Sequence, residues 1–171
     1  EPNRIPNPLA LNLYTLGYDT NKNLVNLNQA TKANLATYLE QYRMLTDAIN
    51  IKNAFIINFS LDFEITAFKS FNNNEVILNC ISELKDYFNI DNWQVNQPII
   101  RSEIENLIAG VIGVQTVEKL KLINENGTTL GYSKYKYDFT GATKKGITYP
   151  SLDPSIFELK YPNSDIKGRV I

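Results

Sequence analysis

Between Phe55 and Phe68 apolar and polar residues alternate. Phe55, Ile57, Phe59, Leu61, Phe63, Ile65 and Ala67 hold the odd positions, and from Asn58 to Thr66 every even position is polar. Successive side chains on a strand point to opposite faces, so this pattern predicts one long strand with an apolar face on a core and a wet face opposite. Strands of about 5–6 residues are usual, so a strand of this length predicts a broad sheet. Each large side chain buried from it contributes about 1.5–3 kcal/mol before the entropy of ordering is charged. The strand is therefore the predicted centre of the core.

Helical spacing brackets it. Leu35, Leu39, Tyr42, Leu45 and Ile49 recur every three or four residues and predict a helix over Asn28–Ile49, capped by Asn28 or Thr31, with a turn at Asn50–Asn53. Asn72 followed by Glu75 resembles a capping box and opens a second helix to about Tyr87, with Ile77, Cys80, Ile81, Leu84 and Phe88 as its stripe. Ile90–Ile100 reads as extended, with Pro98 barring a central strand. Ser102 and Glu105 form a capping box for a third helix that buries Ile104, Leu107, Ile108 and Val111 and ends at Gly110 and Gly113. A strand follows from Gly113-Val114 through Ile123, then a hairpin signal at Asn126-Gly127. Gly131–Phe139 reads as a strand dense in tyrosine, and 140–149 as a polar loop. Pro150–Pro154 reads as a rigid turn, Ser155–Tyr161 as a last strand, and 164–171 as a tail. The asparagine- and proline-rich start, residues 1–27, reads as an extended arm in which Leu9–Leu16 docks as a short strand.

This order predicts an α+β fold, a mostly antiparallel sheet with helices on one face. The predicted divisions are an arm over 1–27, an α+β domain over 28–124 and a β-rich C-terminal extension over 125–171.

Composition narrows the chemistry. Among the 171 residues there is no histidine, which removes serine–histidine and cysteine–histidine catalysis from this chain. Cys80 is the one cysteine, so an internal disulfide and a cysteine-based zinc site are excluded, and a reducing compartment fits. No apolar run approaches the roughly 18–20 residues that cross a bilayer, and no signal-peptide pattern is present. The start at Glu1 rather than Met suggests a piece of a longer protein. Net charge is −1 but uneven: residues 1–127 hold 10 basic and 14 acidic side chains, residues 128–171 hold 7 and 4. Such asymmetry suits contacts between copies or partners.

Asp62 and Glu64 share the polar face of the long strand. A carboxylate pair is the minimum for glycoside hydrolysis or a hard metal; the plainer reading is a solvated face, and no convergent partner is visible. Tyr132, Lys134, Tyr135, Lys136 and Tyr137 interleave rings with cations, the chemistry of single-stranded nucleic-acid binding. No RNA-recognition signature accompanies them. The alternative is a strand with tyrosine bodies packed and lysine heads in water. Gly141–Thr148 has the glycine spacing of a phosphate-binding loop, but Ile147 stands where the lysine is needed. Asn58 and Asn126 lie in glycosylation-like triplets without secretory context. Trp93 is either a lid on the core or an interface anchor. Cys80 lies within a helix stripe and reads as a small core side chain.

The stretch ITYPSLDPSIFELKYPNSDIKGRV, Ile147–Val170, resembles the C-terminal end of the baseplate wedge protein family of T4-like contractile-tailed bacteriophages, the gene product six type, related to baseplate J. LATYLEQYRMLTDAINI (Leu35–Ile51) and NWQVNQPIIRSEIENLIAGVIGVQTVEKLKL (Asn92–Leu122) resemble its helix-to-strand entry and its helix–Gly-Val–strand step, so the likeness covers about residues 8–170. The resemblance implies a structural part without catalytic residues, cofactor, metal or small-molecule substrate. It implies a C-terminal fragment of a subunit that joins wedges into a ring, contacts copies of itself and other wedge proteins, and hinges when the baseplate switches. It also implies a place in the virion tail, assembled in the bacterial cytoplasm, with no membrane or nucleic-acid partner. The candidate contact residues are Trp93, Tyr132, Tyr135, Tyr137, Asp62 and Glu64. The alternative function is a nucleic-acid-binding α+β module using 132–137.

Overall fold

A computed structural model describes residues 10–42 and 48–171. The chain falls into two compact units, Glu1–Ala54 and Phe55–Ile171.

In the first unit β1 (Ala10–Thr15) runs parallel to β4 (Ala48–Asn53), with Leu11 opposite Ile49 and Leu13 opposite Ile51. Parallel neighbours need a crossover. It contains a small antiparallel pair, β2 (Gly17–Tyr18) and β3 (Leu24–Val25), and the helix α1 (Gln29–Glu40). The turn between β2 and β3 is built on Asp19, whose Oδ1 accepts from the backbone N–H groups of Asn21 and Asn23 at 2.8 Å each. Asn28 caps α1 through Thr31 N–H at 2.8 Å, one of the two caps foreseen. The helix stops at Glu40 rather than Ile49; Leu45 lies outside the described residues. Ile49 and the predicted turn at 50–53 belong to β4, where Ile49 and Ile51 alternate with Asn50 and Lys52. Period two, not four, governs that stretch.

The second unit is built on β5 (Phe55–Ala67), the long strand the alternation predicts. After it come α2 (Asn73–Tyr87), β6 (Ile99–Ile100), α3 (Arg101–Ala109) and β7 (Val114–Asn124). The remainder is α4 (Phe139–Ala142), β8 (Thr143–Lys144), β9 (Ile147–Thr148), β10 (Ser155–Glu158), α5 (Pro162–Asp165) and β11 (Ile166–Val170). The fold is α+β, and the main sheet is mixed. β7 lies antiparallel along one edge of β5, with bulges at its Val114 end. β10 and β11 lie parallel along the other edge, one beside Phe55–Asn58 and the next beside Leu61–Ile65. A smaller antiparallel sheet takes β6, β9 and β8 in that order.

Phe59, Leu61, Phe63 and Ile65 are buried on one face of β5. α2 packs on β11, α3 packs on β7, and the helices touch each other, so both cover that face. Val76, Cys80 and Leu84 are the buried side of α2, and Ile104 and Ile108 that of α3. Gly113, at φ 100° between α3 and β7, takes a conformation that L side chains resist, and a Cβ there would meet Val76 and Phe71.

Several predicted details are corrected. The Ser102 capping box does not form: α3 already includes Arg101, whose N–H is held by Gly146 O at 2.9 Å, and Glu105 pairs with Arg101 instead. Gly131–Phe139 is not a strand but an irregular crossing that ends in α4. Asn126-Gly127 therefore has no second strand to turn into; Gly127 instead receives Tyr132 N–H and donates to Ser133 O. Residues 164–171 are not a tail, because β11 extends the sheet there. With β10, it makes the expected C-terminal extension part of the main sheet.

Candidate interaction surface

The polar face of β5 is not uniformly wet. Asn58 is 1% exposed and Ser60 2%. The segment after β7 folds over them. Asn58 Nδ2 donates to Glu158 Oε2 at 2.7 Å, and its Oδ1 accepts from Ser133 N–H at 2.7 Å. Ser60 Oγ donates to Glu125 Oε1 at 2.7 Å. Burying polar side chains is tolerable because these groups are hydrogen-bonded.

Beyond Ser60 the face opens, and a charged array stands on it. Directly paired residues of neighbouring strands share a face. Lys167 of β11, Asp62 of β5 and Lys121 of β7 form one row; Arg169, Glu64 and Lys119 form the next. In both rows the carboxylate lies between two cations, so the array carries two net positive charges. A cavity of about 330 Å³ lies over it.

The rows differ. Glu64 Oε1 accepts from Arg169 Nη2 and from Lys119 Nζ, the latter at 3.1 Å. The Arg169 hydrogen bond, then the Lys119 one, holds the Glu64 carboxyl below the usual carboxylate range. Asp62 has no such bonds. Its Oδ1 is shielded from solvent and accepts no hydrogen bond among the described residues. Lys121 and Lys167 have no ion pair there either.

Glycoside cleavage needs one carboxyl held protonated near neutral pH, whereas Glu64 is held in its charged form. Among the described residues no group of three or more metal-ligating side chains comes together, and no helix is long and apolar enough to cross a membrane.

Of the other sequence candidates, Trp93 is buried and the three tyrosines are half-buried. Of the two readings of Trp93 the structure has the lid on the core: it is 7% exposed, with its ring 5.3 Å from Phe88 and 5.8 Å from Tyr87. Tyr132 donates its hydroxyl to buried Asp165 Oδ1 at 2.6 Å and sets its ring against Tyr161. Burial, then the Asp165 hydrogen bond, pushes its hydroxyl pKa up. Tyr135 lies edge-on to Phe55 with centroids 4.8 Å apart, and Tyr137 contacts Phe139 and Phe157. Tyr137 also donates to Tyr149 O. These three rings fasten the 131–138 crossing to the body of the unit; Lys134 and Lys136 remain exposed. Cys80 is buried, and burial pushes its thiol up to about 11.

Of the six candidates, Asp62 and Glu64 line the cavity over the charged array and Tyr137 lines another. The cationic neighbours of Asp62 and Glu64 were not singled out in the sequence, although a signal exists. Lys119-x-Lys121 and Lys167-x-Arg169 repeat the i, i+2 spacing of Asp62-x-Glu64 with opposite sign. No protein-family model and no curated protein matches this chain.

Proposed function

We propose that this chain is a structural subunit that works through protein–protein contacts, of the kind found in the baseplate wedge of contractile-tailed bacteriophages. In that role it joins neighbouring wedges into a ring and moves with them when the baseplate switches. One observation carries the reading. The stretches that resemble the wedge family, 92–122 and 147–170, supply all four cations of the open array: Lys119, Lys121, Lys167 and Arg169. Asp62 and Glu64 of β5 complete the array between them. A mixed-charge face of this kind orients a partner and suppresses wrong ones more than it adds raw affinity.

The test is assembly. The full chain, co-expressed with the wedge proteins adjacent to it in a contractile tail, is expected to co-purify with them and to elute above monomer mass in size exclusion with light scattering. A strict monomer at high concentration that also ignores those proteins overturns the reading.

A further inference from the structure

The array on β11, β5 and β7 has one satisfied row and one unsatisfied row. Glu64 holds two cations at once, whereas Asp62 holds none, although Lys121 and Lys167 stand opposite it on the strands to either side. The open row therefore presents two free cations about 10 Å apart at their backbones, by the spacing of two strand intervals. Between them Asp62 makes no ion pair among the described residues.

We propose that this face docks an extended acidic segment of another protein. Its carboxylates, two or three residues apart, engage Lys121 and Lys167 from the solvent side. Side chains two apart on an extended chain lie about 6.5–7 Å apart, and lysine stems cover the remainder. Charge complementarity selects an acidic occupant: the array is net positive, and the two cations of this row, unlike those on Glu64, make no ion pair among the described residues. A nucleic-acid strand offers the same sign of charge, and the thymidine comparison in the test separates the two. The cavity of about 330 Å³ over the array is small enough for side chains of such a segment.

This inference rests on the proposed function in one respect, that the face is a protein contact. The test uses the full chain and a fluorescent decapeptide of alternating Glu and Thr, read by anisotropy at low salt. A Gln/Thr peptide, a ten-nucleotide thymidine strand and inorganic phosphate serve as comparisons. Binding of the Glu/Thr peptide alone is expected, weakened about tenfold or more in a K121E/K167E double variant and to a smaller degree in K121Q/K167Q. Both lysines are exposed, so the variants retain the fold, which circular dichroism checks. Three results overturn the inference: no peptide binding, binding unchanged by charge reversal, or equal binding of the thymidine strand or phosphate. Assembly with wedge proteins that persists in K121E/K167E overturns it while leaving the proposed function standing. Peptide binding by a chain that never assembles with those proteins does the reverse.

Discussion

Asn58 joins three parts of the second unit. Its side chain reaches Glu158 on β10 and Ser133 in the crossing, and its carbonyl accepts from Glu125 N–H at 3.0 Å. Asn58→Ala removes a donor to a buried carboxylate and the acceptor for a half-buried N–H. The expected loss is about 3 kcal/mol, read as a lower midpoint in urea unfolding. Tyr132→Phe takes one donor from buried Asp165, which keeps Tyr161 N–H at 2.9 Å, so its cost is smaller, about 1–2 kcal/mol. Cys80 gives a second kind of residue-scale prediction. Its thiol is enclosed and stays protonated at neutral pH, so it is expected to react with a disulfide reagent only as fast as the unit opens. Rapid labelling of the native protein would contradict that. The buried role of Cys80 was legible from helix spacing alone, whereas that of Asn58 was not. An asparagine at an even strand position signals water unless a distant segment comes to cover it.

At the scale of elements, β11 holds its place by two means. Arg169 ties it to Glu64, and Gly168 lets it lie close to the core, since a Cβ there would run into the Phe63 ring. Gly168→Ala is expected to cost about 1–3 kcal/mol through overpacking, measured by thermal or urea unfolding. The Glu64 pairs give β11 a pH dependence whose sign follows from linkage. The carboxyl pKa is lower in the folded state than in the unfolded one. The stability it contributes is therefore fully present above the ordinary glutamate range and is lost as pH falls through the lowered folded value. Unfolding measured across the acid range is expected to show this limb in the native sequence and a shallower one in Glu64→Gln, with added salt reducing the difference. β5 itself was readable to within a residue, because alternation over 13 residues has no helical counterpart. β4 was misread as a helix end because Ile49 satisfies both periods, and β11 was missed because a five-residue strand interrupted by glycine has little pattern of its own.

For the whole molecule, the first consequence is independence of parts. β5 begins at Phe55, and its N-terminal N–H is held by Pro154 O at 2.9 Å, within the second unit. Residues 55–171 expressed alone are expected to unfold cooperatively in urea, as a domain with its own core does. A broad, non-cooperative transition would count against that division. The sequence by itself determined the long strand, the α2 and α3 helices with most of their buried faces, and the absence of histidine chemistry. These depend on local periodicity and on composition, both of which are carried by neighbouring residues. Tertiary structure alone decided which polar residues of β5 are buried, which of the two readings of Trp93 holds, and that six charges from three distant stretches form a single array. The physical reason is register. Asp62 meets Lys121 and Lys167 only once β7 and β11 dock at one alignment, and that alignment is set by the packing of the opposite face.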